Sequence, residues 1–174
     1  MIKAAILAGA AMSLLCQPVT ALAAARGQNT AVARPVREPR NITADPNKIA
    51  EILRAYGFKP QISQSSNGDP YIAIANSGTR FLIFFNNCVE GQNCTTIQFY
   101  AGFSTDTPPP WKLINQWNRD NRFAKAYIDD ENDPRLEMDM NLNEGGIARS
   151  NFVSNFLIWL RLLNAFKTHI GWEK

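Results

Sequence analysis

The chain predicts an α+β domain, an antiparallel meander sheet with helices packed on one face. Three observations carry that prediction. Apolar residues recur at helical spacing in three segments, they alternate at period two in six others, and every strand-to-strand connection is short. The resulting element order is α-β4-α-β2-α.

The first helix is the most sharply punctuated. Asp45 suits an N-cap, Pro46 the first turn, and Gly57 the position past the end. Between them Ile49, Ile52, Leu53 and Tyr56 fall at i, i+3, i+4 and i+7, forming one apolar stripe. Four strands follow. Residues 61–65 and 71–75 flank Asn67-Gly68, a strong hairpin signal, and residues 80–86 and 95–103 flank the loop C-V-E-G-Q-N-C. Thr107 and three prolines open a short helix over residues 111–121, with Trp111, Ile114 and Trp117 expected inward. A second hairpin, residues 123–128 and 135–142, turns at Glu131-Asn132-Asp133-Pro134. In its last strand Leu136, Met138, Met140 and Leu142 face one way, while Glu137, Asp139 and Asn141 face the other, which predicts one wet face. Gly145-Gly146 leads into the last helix, residues 149–170, with a core stripe of Phe152, Phe156, Trp159, Leu163 and Phe166.

Ahead of this domain (residues 45–170) the composition changes twice. Residues 1–23 read as a secretion signal: Lys3, an apolar run over residues 4–15, then Ala21-Leu22-Ala23, with cleavage expected after Ala23. The run is short of the roughly 20 residues a bilayer span needs. A buried helix is the alternative reading. A lipoprotein signal at Cys16 is disfavoured by the bulky Leu15 before it. Residues 24–44 read as a flexible basic linker, with Arg26, Arg34, Arg37 and Arg40 against Glu38 alone. The chain's formal charge of +3 comes almost wholly from this arm, because residues 41–174 hold 13 Lys plus Arg and 14 Asp plus Glu. A near-neutral domain argues against nucleic acid as a partner. The Arg26–Arg40 arm allows at most peripheral contact with anionic lipid headgroups. The expected location is periplasmic or secreted.

In an exported chain, Cys88 and Cys94 read as a structural disulfide, contributing about 2 to 2.5 kcal/mol on the chain-entropy account. A redox pair would more typically be C-x-x-C at a helix start. Zinc would need further ligands, and there is one histidine. The acidic cluster Asp129, Asp130, Glu131 and Asp133 suggests calcium, but Pro134 stands where the loop needs glycine and Met140 where it needs a bidentate Glu. Glu137 and Asp139 share a strand face, yet general acid–base work needs a desolvated carboxyl, which a wet face does not provide. His169 stands alone near the C-terminus, which disfavours a Ser-His-Asp or Cys-His site. Trp111, Trp117, Arg119 and Arg122 resemble a single-strand-binding mixture, but helical spacing assigns the tryptophans to the core. No catalytic residue, cofactor or metal ligand is assigned.

Two regions carry more apolar surface than this layout requires. The strand over residues 80–86 is apolar on both faces, with Phe81, Ile83 and Phe85 one way and Leu82 and Phe84 the other. In the last helix, Ile158 and Leu162 lie off the core stripe. Leu82, Phe84, Ile158 and Leu162 are therefore the candidate contact surface for a protein partner or a second copy, the alternative being cover by loops or the central helix.

The segments G-D-P-Y-I (68–72), N-C-T-T-I-Q-F (93–99), W-N-R-D-N-R-F-A-K-A-Y (117–127) and D-P-R-L-E-M-D-M-N-L (133–142) resemble the YbjN family. Its members are described as bacterial sensory transduction regulators, with a fold similar to that of type III secretion chaperones. The resemblance covers nearly all of residues 45–166. It implies an antiparallel-sheet α+β domain with no known enzymatic activity, binding to a protein partner, and a possible homodimer. The signal and the cysteine pair set this chain apart from the better-known cytosolic members. The expected function is a non-catalytic exported protein-binding domain of the bacterial envelope, chaperone-like or regulatory. The alternative is an envelope hydrolase or a small-ligand or metal binder using the acidic hairpin from Asp129 to Asp139.

Overall fold

The computed structural model describes residues 41–172. The expected signal, residues 1–23, and residues 24–40 of the expected linker lie outside the described residues. In chain order the elements are β1 (Asn41–Ile42), α1 (Pro46–Ala55), β2 (Gln61–Gln64), β3 (Pro70–Asn76), β4 (Thr79–Asn86), β5 (Thr96–Gly102), α2 (Trp111–Asp120), β6 (Lys125–Ile128), β7 (Pro134–Asn141), β8 (Ile147–Ala148) and α3 (Arg149–His169). The domain is α+β with an antiparallel sheet of six strands, as expected.

The start of the domain is earlier than the composition suggested. Residues 41–44 fall in the expected linker, yet β1 pairs with β8, Ala44 bridges to Cys94, and Ile42 and Ala44 are buried. Two alternating apolar residues next to an N-cap are enough to pin the chain here. Asp45 then caps α1 by accepting from the Asn47 and Lys48 amides at 2.8 and 3.3 Å.

The large sheet runs β2-β3-β4-β5-β7-β6. Its first four strands form a meander; the last hairpin then docks through its second strand, with β7 beside β5 and β6 outermost. This inversion has a packing reason. β7 has the longer apolar row, with Leu136, Met138 and Met140 all buried, so burying it between neighbours removes more apolar surface from water than burying β6 would.

The turns follow the chemistry of their residues. Between β4 and β5, Val89 and Gln92 exchange both backbone hydrogen bonds around Glu90 and Gly91, each at positive φ, and a disulfide joins Cys88 to Cys94 just outside. Gly91 is required twice over: its φ is +71°, and a Cβ there would lie 2.7 Å from the Gly68 carbonyl oxygen of the neighbouring hairpin.

One face of the sheet carries the core. Phe81 and Phe99 meet Trp159 of α3 at 5.9 and 5.6 Å between ring centroids, and both approach Phe156. Phe58, just after α1, meets Phe156 edge-on at 5.0 Å. Trp117 of α2 meets Phe166 at 4.9 Å. The His169 ring donates to the Leu113 carbonyl at 2.8 Å, so the last turn of α3 is tied to α2.

Two assignments, one inward and one outward, need correction. Trp111 is 66% exposed, because it opens α2 one turn before Ile114 reaches the core; the Lys112 ammonium sits 5.7 Å from its ring. Leu162, expected at a partner surface, is buried at 5% exposure. The inward arc of α3 is wider than the five-residue stripe and takes in Leu162, as a helix packed on a broad sheet requires. Among the described residues no helix is long and apolar enough to cross a membrane.

Candidate functional site

The side chains of β3, β4, β5, β7 and β6 that alternate away from the helices form a sheet face left uncovered among the described residues. Antiparallel register sets their rows. Tyr71, Phe84, Gln98 and Asp139 run across one row; Ala73, Leu82, Tyr100, Glu137 and Lys125 run across the next.

The β3–β4 half of this face is apolar. Tyr71 and Phe84 approach at 6.0 Å between centroids, and Phe84 and Tyr100 at 5.5 Å, giving a ladder of three rings with Leu82 beside it. All four are half-buried. Next to them lies a depression of about 320 Å³ lined in part by Tyr71, Leu82, Tyr100, Gly102 and Arg135. Burial raises the Tyr100 phenol above its ordinary value, so it stays a neutral hydrogen-bonding tip on an apolar body.

Of the four residues expected to form one contact surface, the structure brings together only Leu82 and Phe84. Side-chain period two sends them to the face opposite Phe81 and Phe85, whereas α3 packs on the Phe81 side. Ile158 is partly buried against the core and Leu162 is inside it, so neither joins Leu82 and Phe84. Sequence reasoning missed Tyr71 and Tyr100, although register counted outward from the Asn67-Gly68 and cysteine turns would have placed them beside Phe84.

The β5–β7–β6 half is polar, and its wet strand is not wet at Glu137, which is 8% exposed. Tyr127 donates to Glu137 Oε1 at 2.7 Å, while Gln98 at 3.2 Å and Lys125 at 3.0 Å meet Oε2. Gln98 also donates to Asp139 Oδ1 at 2.9 Å, and Lys125 lies 3.7 Å from Asp139. The Glu137 hydrogen bond is the largest influence raising the Lys125 ammonium. Burial, followed by the hydrogen bond to Glu137, holds the Tyr127 phenol neutral far above its ordinary value. Both Glu137 oxygens are thus engaged by protein donors. A carboxylate held in this way, with donors from two neighbouring strands on both oxygens, organises the sheet.

The acidic turn is also occupied by the protein. Arg135 reaches back to Asp129, to Glu131 at 3.5 Å and to Asp133 at 3.6 Å. Asp129 Oδ1 additionally accepts from the Glu131 and Asp133 amides at 3.0 and 2.9 Å, closing the turn. Burial pushes the Asp129 carboxyl up, but the Asp133 amide and the Arg135 guanidinium outweigh it and hold the group below its ordinary range. Gly102, opposite Arg135 in the ladder, leaves space for that guanidinium; a Cβ there would collide with it. Among the described residues no group of three or more His, Cys, Asp or Glu is placed to hold a metal ion.

No curated protein and no solved structure matches the chain. Residues 45–172 match the family described as "Putative bacterial sensory transduction regulator". That match spans most of the chain and takes in the ring ladder, the disulfide loop and the acidic turn. The chain belongs to the YbjN family.

Proposed function

We propose that this chain is a non-catalytic protein-binding domain, chaperone-like or regulatory, exported to the bacterial envelope, and that it receives its partner on the apolar half of the uncovered sheet face. The observation that carries this reading is the ladder Tyr71–Phe84–Tyr100 with Leu82, left uncovered by the helices while the polar groups beside it satisfy one another. Aromatic bodies with polar tips suit a protein interface, since they offer large rigid area at small entropic cost. The regulatory description of the family is compatible with a protein partner. Export is supported by the signal-like residues 1–23 and accords with the Cys88–Cys94 disulfide.

A hydrolase or metal binder built on the acidic hairpin has less to support it. Asp129, Asp133 and Glu137 are all engaged by Arg135, Lys125, Tyr127 or backbone amides.

Chemical crosslinking in intact bacteria, with a C-terminally tagged chain, tests the reading. The wild type should capture a recurrent envelope protein, and Leu82→Asp or Phe84→Asp should lose it while remaining folded. Equal capture by all three chains would remove the ladder from the interface.

A further inference from the structure

The two edges of the six-stranded sheet are treated differently. At the β6 edge, Asn118 of α2 donates to the Ala126 carbonyl at 2.9 Å, and the Ala126 amide donates to Asn118 Oδ1 at 2.8 Å. One side-chain amide thereby closes the outward-facing donor and acceptor of Ala126, in the middle of that strand, and Lys125 adds a charge beside them. This is how natural sheets prevent edge-to-edge pairing.

Among the described residues, the β2 edge has no such cover. Gln61, Ile62, Ser63 and Gln64 are all exposed and uncharged. The Ser65 amide donates to the Asp69 carbonyl at 2.9 Å, so by antiparallel alternation Ser63–Tyr71 and Gln61–Ala73 are the bonded pairs with β3. Ile62 and Gln64 therefore aim their N–H and C=O groups off the sheet. Among the described residues, no hydrogen bond reaches those groups. Pro70 opposes Gln64, at a position where its missing N–H costs the β2–β3 ladder nothing.

We propose that β2 is the surface through which two copies of this chain pair, strand to strand, about a twofold axis at Ser63. An antiparallel twofold sets Ile62 of one copy against Gln64 of the other, and Gln64 against Ile62. Those are the two residues whose backbone groups point outward, so both pairs can exchange two hydrogen bonds each. No other centre in this strand matches outward groups with outward groups at both positions. A strand without charges meets its own copy without repulsion, and Pro60 on one side with the Ser65–Asp69 turn on the other confine the pairing to this register. The product is one continuous sheet with both ring ladders still free. The pairing uses the edge alone, so its failure would leave the reading of the uncovered face standing.

Sedimentation of the purified full chain over a wide concentration range tests the pairing. The wild type should associate to a dimer as concentration rises. Ser63→Lys and Ser63→Glu each place like charges directly opposite at the axis and should weaken association roughly five- to tenfold. Mixing the two variants should restore it, because opposite charges then meet. Ile62→Pro removes an outward amide without touching the β2–β3 bonds, so it should stay folded and monomeric, which separates lost pairing from lost fold. A monomer at every concentration overturns the proposal. So does a dimer that ignores both charge variants, or one that mixing does not recover. A monomer that loses a crosslinked protein on Ser63→Lys would assign the edge to an extended peptide instead, and would also overturn self-pairing.

Discussion

The two faces of the large sheet are built from the same strands and have opposite fates. In β4, Phe81, Ile83 and Phe85 are buried in the core, Phe81 against Trp159 of α3, while Leu82 and Phe84, of the same chemistry, stay half-exposed on the other side. Hydrophobicity therefore does not by itself mark the proposed interface. What separates the faces is whether an element returns to cover them, and all three helices contribute aromatic or aliphatic side chains to the one core. The uncovered face is itself divided into an apolar ladder and a polar half in which Glu137 and Arg135 gather the charges. An apolar strip bordered by mutually satisfied polar groups is the composition expected of an interface core with its rim.

The sharpest way to break this contrast is to truncate a residue on each face. Leu162→Ala, inside the core, should lower the unfolding free energy by about 2–5 kcal/mol in a denaturant titration. Leu82→Asp, on the uncovered face, should stay within about 1 kcal/mol of the wild type. If Leu82→Asp unfolds the domain, the ladder is core and the two faces are equivalent. Next in size is Glu137→Ala, which leaves Tyr127, Gln98 and Lys125 without their shared acceptor. It should cost about 1–3 kcal/mol, and Glu137→Gln less.

The pH response sharpens the same picture with smaller effects. The Tyr127 phenol is raised in the folded chain, so the stability it contributes is complete below its ordinary value of 10.0 and declines as pH rises above it. Tyr127→Phe should flatten the alkaline limb of a thermal-melt profile. The Asp129 carboxyl is lowered from 3.8, so its contribution is present above that pH and is lost as pH falls through the folded-state value. Asp129→Asn should flatten the acid limb, and an unchanged limb in either variant would detach that group from the stability of the polar half.

Much of this architecture was legible from local pattern. Asp45, Pro46 and Gly57 bound the first helix, Asn67-Gly68 its following hairpin, and the alternation in residues 135–142 its last strand, because caps, turns and period-two patterning act over a few residues. Trp111 was not legible: helical spacing gives a side chain's direction, but not whether anything lies in that direction. Glu137 was misread for the same reason. A polar position on an alternating strand reads as wet unless one knows that Tyr127, Lys125 and Gln98 come from two other strands to enclose it.

By itself the sequence determined the fold class, the family motifs, the cysteine spacing and the near-neutral charge of the domain, all properties of neighbouring residues or of sums over the chain. Only the tertiary structure decided that β7 inserts beside β5, that Leu162 is core, that Leu82 and Phe84 part company with α3, and that one sheet edge is closed by Asn118 while the other is open. Each of those outcomes depends on which surfaces meet across long stretches of chain. That choice is made by total burial and hydrogen-bond satisfaction across the domain, quantities that no local window of residues contains.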